Sequence, residues 1–279
     1  MDIYTRRKII NGVNLTAAVV TTALGLFFLA WLLWTLFAQG LANFNWALFS
    51  QDMPGPGSEG GGLRNAIVGS LMMTITAVVI GAPVGILAGA YLSEFGRYAR
   101  ISIAVRFIND VLLSAPSIVI GVFVYEIMVA PFGGFSGWSG AVALAILVIP
   151  VVVRTTENMM RLVPDSMREA AAALGAPQWK VVNSVVIRAA ISGIMTGVLL
   201  AIARIAGETA PLLFTALNNQ FFSLDMSKPM ANLPVTIFNF AMGPYDNWHD
   251  LAWAGSLLIT LAVLGLNIIT RVLLRPGRK

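Results

Sequence analysis

Two charged residues, Arg204 and Glu208, stand four positions apart in the otherwise apolar stretch AIARIAGETAPLLF, residues 201–214. A guanidinium presents a rigid fork of N–H donors that can hold an oxyanion through two parallel hydrogen bonds. A neighbouring carboxylate can orient that guanidinium and limit how tightly the anion is held, as a transport path must both admit and release its substrate. The alternative is a structural ion pair, within this chain or with a neighbouring subunit, that sets the register of the helix.

The rest of the sequence excludes several other kinds of chemistry. It has no cysteine and a single histidine, His249, so thiol catalysis and disulfides are excluded and the ligands of a typical zinc site are missing. It also contains no G-x-x-x-x-G-K-[ST] nucleotide-binding loop. The net charge of +5 does not indicate nucleic-acid binding, because the basic residues are scattered between apolar runs. An intramembrane enzyme is disfavoured because no nucleophile stands with a base.

The composition indicates a membrane protein. Apolar residues make up 57% of the 279 positions and charged residues 11%, whereas about a quarter of a soluble domain is charged. A bilayer-crossing helix needs roughly 17 to 25 apolar residues. Six runs of suitable length, spans one to six, lie at 14–37, 66–92, 101–131, 138–156, 184–214 and 252–272. We therefore predict an all-α integral membrane protein with six transmembrane helices, the first being a retained anchor and not a cleaved signal peptide.

The basic residues predict the orientation of these spans. Fifteen of the eighteen fall in segments that alternate to one side, and Arg64 and Lys228 fall on the other. By the positive-inside rule the basic side is cytoplasmic, and both termini lie there. The fifteen are Arg6, Arg7, Lys8, Arg97, Arg100, Arg106, Arg154, Arg161, Arg168, Lys180, Arg188, Arg271, Arg275, Arg278 and Lys279.

Arg204 is the eighteenth basic residue and belongs to neither side. It follows Arg188 by 16 positions, or about 24 Å of helix, and so lies inside the apolar layer toward its outer face. Burying an arginine at the centre of a bilayer costs roughly 2.5 to 3.5 kcal/mol, so an interaction must compensate. A second spaced pair, Arg106 and Asp110, is expected to bridge locally near the cytoplasmic start of span three.

Glycines at fourfold spacing predict close helix packing. They are Gly81, Gly85 and Gly89 in span two, and Gly193 and Gly197 in span five. Packing within one bundle is the simpler interpretation, although a subunit interface would use the same spacing.

The longest charged loop, residues 161–188, predicts a short cytoplasmic helix. Ser166 and Glu169 form a capping-box pattern after Pro164, and Gly175 is a left-handed helix terminator followed by Pro177. An isolated helix of about two turns is marginal in water, so something must hold it. The alanines at 170–173 could equally pack within the chain or fit the groove of a partner.

The sequence EAAAALG in this loop resembles the EAA loop of permease subunits in binding-protein-dependent ABC importers. Glu169, Ala170, Ala171 and Gly175 match that pattern, whereas Arg188 stands where the family pattern ends in proline. The resemblance implies a MetI-like, type I importer bundle. It also implies that residues 165–176 dock in a cleft of a cytoplasmic ATPase subunit, so that these four residues couple the chain to ATP hydrolysis.

Three further segments, 192–222, 232–242 and 251–267, resemble the permease subunits of phosphate importers of the PstA type, and the likeness covers most of the chain from span two onward. It implies a phosphate-importing complex in a bacterial inner membrane, with Arg204 and Glu208 on the substrate path. The implied partners are a second, homologous permease, two ATPase subunits, an extracytoplasmic phosphate-binding protein and lipid. ATP and magnesium would be used by the ATPase, and this chain would hold no cofactor.

These observations divide the chain at residue 62. Residues 1–62 are expected to form the anchor helix and an external loop rich in glycine and proline. Residues 63–275 are expected to form the permease domain, with the cytoplasmic coupling loop 161–188 and an external loop 216–250. Two alternatives stay open: a permease for another oxyanion or an organic substrate, and an ion-coupled secondary carrier, which the lack of two related halves disfavours.

Overall fold

The structure, a computed structural model, describes residues 2–97 and 99–273, with side chains through residue 269. Helices account for the regular structure in this part of the chain, and no strand occurs within it, which confirms the all-α prediction. Arg275, Arg278 and Lys279, and the side chain of Arg271, lie outside what is described. The helices are α1 (Ile3–Ala42), α2 (Ala47–Ser50), α3 (Arg64–Ala90), α4 (Arg100–Ser114), α5 (Ser117–Val124), α6 (Gly137–Arg161), α7 (Asp165–Ala173), α8 (Gln178–Val181), α9 (Ile187–Ile205), α10 (Ala210–Thr215), α11 (Leu233–Ala241) and α12 (Asp246–Leu273).

Five helical segments are long and apolar enough to cross a membrane, and a bent pair makes the sixth predicted span. The pair consists of α4 and the segment Ser117–Val129, which meet at an angle of 104°. The bend falls at Ala115 and Pro116, where the proline removes a backbone donor and disfavours helical geometry in the residue before it. Span three is therefore broken where Ser114, Pro116 and Ser117 predict a kink, and the bend is sharper than a local kink.

Helix α6 is the centre of the bundle, since it is buried along most of its length and contacts both α3 and α9. The predicted glycine seams create these two contacts. A Cβ atom added to Gly85 would lie 2.7 Å from Val152 Cβ, and one added to Gly89 would lie 2.7 Å from Thr156 Cβ. On the other face of α6, Gly193 and Gly197 of α9 approach Met159 and Thr155 equally closely. Close packing within the chain is therefore the role of both seams.

The N-terminal helix agrees with the predicted anchor, whereas the external segments are more ordered than their composition suggested. Helix α1 packs against α12 near Gly40, but its most apolar 18 residues are not buried. The glycine-rich segment after α2 is partly integrated in the fold, because Met53 is 6% exposed in a core cluster with Leu63 and Phe240. The external segment 216–250 is not a simple loop: it contains α11, and α12 already begins at Asp246.

Candidate functional site

Arg204 lies in the last turn of α9 and points away from the bundle core. Its neighbour Ile205 is buried, whereas Arg204 itself is exposed. Among the residues that the structure describes, none forms an ion pair or hydrogen bond with its guanidinium. The five N–H donors of this side chain are thus available to a group outside the fold of this chain.

Glu208 is not one helical turn beyond Arg204, as the sequence predicted. Helix α9 ends at Ile205, and the Glu208 N–H donates to the Ile205 carbonyl oxygen at 3.2 Å in a non-helical connection that leads to α10. Because the chain leaves the helical path at Ala206 and Gly207, the i,i+4 register is lost. The mutual Arg204–Glu208 bridge is absent from the described residues, and the Glu208 side chain is half-exposed without a described partner.

A stripe of exposed residues runs along α9 from its N-terminal end to Arg204. Its members recur at intervals of four along the helix. The Thr196 hydroxyl donates to the Ser192 carbonyl oxygen at 2.8 Å, so it keeps a lone-pair face toward the outside. The stripe comprises Arg188, Ser192, Thr196, Leu200 and Arg204.

A groove of about 410 Å³ lies on a different side of α9, between α3 and α12. Ile202 and Ala206 form part of its wall, and the remaining lining is apolar except for Ser70 and Thr74. The Ser70 hydroxyl already accepts from the Leu233 N–H at 2.7 Å. With no charged side chain in its lining the groove does not suit an anion, and the exposed face of α9 is the better candidate.

The four residues expected to meet the ATPase lie on or just after α7. Glu169 and Ala170 are exposed, whereas Ala171 is half-buried against the cluster that contains Met160 and Val182. Gly175 has φ +80°, so it terminates the helix in the left-handed region as predicted. One alanine of the run therefore packs within the chain, and the exposure of the others leaves docking with a partner as a prediction.

The predicted capping box is wrong. Helix α7 begins at Asp165, directly after Pro164, and no side chain caps its N-terminus. Ser166 is already inside the first turn and is exposed. The chain beyond Gly175 is helical without interruption from Gln178 to Ile205, with a π-helical turn at Val182–Val186.

The sequence did not single out Glu157 as a central residue, yet its buried carboxylate joins two arginines. Its Oε1 accepts from Arg106 Nε at 2.7 Å and lies 2.6 Å from Arg161 Nη2, while Glu157 itself is 2% exposed. The expected Arg106–Asp110 bridge is thus wrong, and Asp110 instead lies 3.6 Å from Arg154. Arg106 and Glu157 are about fifty residues apart in the sequence, so no local spacing could have indicated their pairing.

A second ion pair unites Arg168 of α7 with Glu94, which lies in a π-helical turn (Tyr91–Phe95) that follows α3. Hydrogen bonding to Glu94 raises the pKa of the Arg168 guanidinium above its ordinary value, while partial burial opposes that shift. Arg168 therefore remains charged at every physiological pH. A mixed pattern of charges in this loop was visible in the sequence, but the partner was not.

Comparison with known proteins places this geometry in a family. The family model described as the inner membrane component of binding-protein-dependent transport systems matches residues 81–275. The phosphate transport system permease protein PstA of Yersinia pestis is 57% identical over 94% of this chain and 89% of the relative. The PstA protein of Pasteurella multocida is 57% identical over 95% of both chains. PstA 1 of Mycobacterium tuberculosis H37Rv is 37% identical over 94% of this chain and 87% of the relative.

Two solved structures share the fold at low sequence identity. A chain of the MetNI methionine ABC transporter, in an inward-facing conformation, aligns with a TM-score of 0.60 at 18% identity over 76% of this chain and 92% of that one. A chain of an amino acid ABC transporter aligns with a TM-score of 0.57 at 18% identity over the same shares. The helical fold is thus one that chains of these ABC transporters also adopt.

Proposed function

Because this chain belongs to the family of inner membrane components of binding-protein-dependent transport systems, we propose that it is the permease subunit of an ATP-driven phosphate importer. The relatives with more than half of their residues identical are phosphate transport permeases, and the likeness extends over nearly the whole of each chain. The proposed location is the inner membrane of a bacterium.

The observation that carries the substrate proposal is the unpaired Arg204 at the outer end of the exposed α9 stripe. A charge inside the apolar layer without an internal partner needs an external one, and a guanidinium matches phosphate oxygens bidentately. Glu208 lies in the non-helical connection that follows and repels an anion, which favours release. Together the two residues supply moderate binding, as a transport path requires.

One such chain provides one wall of a path, because the α9 stripe faces outward from the fold. The proposed complex contains a homologous second permease that supplies the other wall, and an extracytoplasmic phosphate-binding protein that delivers the anion. Two ATPase subunits bind and hydrolyse ATP with magnesium, since this sequence has no nucleotide-binding loop. ATP-driven closure of the ATPase pair moves Glu169, Ala170, Ala171 and Gly175 and switches access from outside to inside.

Uptake of labelled phosphate tests this proposal in cells that lack the chain and receive the wild type, Arg204→Gln or Arg100→Gln. Arg100 is an exposed arginine at the start of α4, outside the α9 stripe and without a described partner, so it controls for the change in charge. Loss of a charge-assisted hydrogen bond worth about 1.5 to 3 kcal/mol should lower uptake roughly 10- to 100-fold for Arg204→Gln. Membrane insertion and recovery of the ATPase are measured for each variant.

The possible outcomes test the phosphate assignment and the role of Arg204 separately. Equal uptake by both variants would remove Arg204 from the path and leave the phosphate assignment intact. Failure of the wild type to restore phosphate uptake, with sulfate or an organic substrate transported instead, would overturn phosphate itself. Uptake that persists without any ATPase would favour the secondary-carrier alternative.

A further inference from the structure

The side chain of Arg168, in the cytoplasmic helix α7, is bonded at every N–H. Its Nε and Nη2 donate to the two carboxylate oxygens of Glu94 at 3.0 and 2.7 Å. Its Nη2 also donates to the Met160 carbonyl oxygen at 2.9 Å, and Nη1 donates to the Val163 carbonyl oxygen and to Asp165 Oδ1. A guanidinium has five N–H donors, so this one has no donor left for a partner protein.

These acceptors belong to different parts of the fold. Glu94 lies in the π-helical turn (Tyr91–Phe95) that ends the α3 span, and Met160 belongs to the last turn of α6. Arg168 therefore ties α7 to the cytoplasmic ends of two membrane-spanning helices at once. A π-helical turn widens the helix locally and is often found at functional positions.

Helix α7 has little else to hold it. None of its residues is buried, and Ala171 is its contribution to the apolar cluster beneath it. One exposed ion pair, Arg97–Asp165 at 3.2 Å, supplements this contact, with both side chains about half-exposed. An exposed ion pair contributes little to stability. The Arg168–Glu94 pair is more buried, since its side chains are 17% and 7% exposed.

Helices α3 and α6 are in close contact along the Gly85 and Gly89 seam, so neither can shift far past the other without a clash. A displacement of α7 passed through Arg168 would therefore act on both helices, and on α9 through the contacts of Gly193 and Gly197. The stripe that ends at Arg204 lies on α9.

We infer that Arg168 is a positioning residue for transport: its bidentate pair with Glu94 is the joint through which displacement of α7 is passed to α3 and α6. The inference rests on the proposed function, because it assumes that an ATPase drives α7. This role does not require Arg168 to contact the substrate. Arginine is required at this position because lysine carries three donors on a single atom and cannot span Glu94 and the α6 carbonyls together.

The test compares wild type, Arg168→Gln, Arg168→Lys, Glu94→Gln and the control Arg100→Gln in the assembled complex with its ATPase. Arg100 begins α4, is exposed and has no described partner, so its loss changes charge alone. This chain has no cysteine, so Val163→Cys can be added to each variant as its single thiol; Val163 is buried in the apolar cluster that Ala171 packs against and lies outside the ATPase-docking residues 165–176. Two quantities are measured: the rate of thiol labelling, and phosphate transported per ATP hydrolysed.

We expect both Arg168→Gln and Glu94→Gln to raise the rate of thiol labelling at position 163 at least roughly tenfold, because each breaks a largely buried pair. Phosphate transported per ATP should fall by a similar factor while ATP hydrolysis continues, with Arg168→Lys between these and wild type. A bracing role alone would lower the amount of complex and leave the ratio for each assembled complex unchanged. Arg100→Gln should behave as wild type in both measurements.

An unchanged labelling rate and an unchanged ratio of phosphate transported to ATP hydrolysed in Arg168→Gln and Glu94→Gln would overturn the inference about Arg168. If Arg168→Gln does not assemble, Glu94→Gln and Arg168→Lys decide by the same two measurements. If the wild-type complex transports no phosphate, the proposed function fails. The role of the Arg168–Glu94 pair is then still tested by the labelling rates and by the transport ratio measured with the substrate that is transported.

Discussion

A single methyl group added at the seam between α3 and α6 should destabilise the protein relative to one added where there is free space. In Gly85→Ala the new Cβ would lie 2.7 Å from Val152 Cβ and 3.1 Å from the Ile149 carbonyl oxygen. Carbon atoms pack at about 3.5 to 4.0 Å, so the helices must separate by roughly 1 Å at their closest point. Overpacking of this kind costs about 1 to 3 kcal/mol, and alanine returns about 1 kcal/mol of helix propensity in the same substitution. The net expectation is a loss of about 0 to 2 kcal/mol.

Gly25→Ala is the matched control, because Gly25 also lies within a span but has no atom within 4 Å of its added Cβ. It should gain up to about 1 kcal/mol of helix propensity. The difference between the two variants is therefore about 1 to 3 kcal/mol, the overpacking cost alone. Thermal unfolding of the detergent-purified protein, followed for both variants on one day and in one detergent, measures it. Equal melting temperatures would refute the claim that the backbones touch at this seam.

Three further substitutions probe other parts of the structure. Glu157→Gln leaves Arg106 and Arg161 without their carboxylate; loss of one partner from a buried pair costs about 3 to 5 kcal/mol, and the lower end applies because both arginines are partly exposed. Its melting temperature should fall well below that of Glu157→Asp, and equality would contradict the buried pair. Gly175→Ala forces a side chain into φ +80° with free space around it, so the protein should lose about 1 to 2 kcal/mol of stability. Less of the ATPase should then co-purify with this variant. Recovery of the ATPase equal to that of the wild type would argue against a strict left-handed cap. Asn65→Ala removes the amide that donates to two carbonyl oxygens of the external segment 219–220 at 3.0 Å, so limited proteolysis there should quicken, and an unchanged cleavage rate would count against this clamp.

The sequence by itself determined the class of the protein and predicts its orientation. Apolar runs long enough to cross a bilayer and arginines that gather on one side are properties of local composition, and they act through the solvent around each segment. The end of α7 at Gly175 was equally legible, because a left-handed terminator acts through its own backbone. The EAA pattern and the AIARIAGETAPLLF stretch were sufficient to indicate the family, which the comparisons confirm.

Only the tertiary structure decided which charges meet. Glu157 could have been assigned to any nearby arginine, and its pairing with Arg106 follows from the crossing of α4 and α6, some fifty residues apart. Arg168 finds Glu94 across 74 residues for the same reason. The mutual Arg204–Glu208 bridge, one of two interpretations of that spacing, does not form because an i,i+4 argument assumes a continuous helix, and the chain leaves α9 after Ile205. Side-chain spacing can predict a partner within one continuous helix, as for Glu157 and Arg161, whereas a partner on a distant helix follows only from tertiary packing.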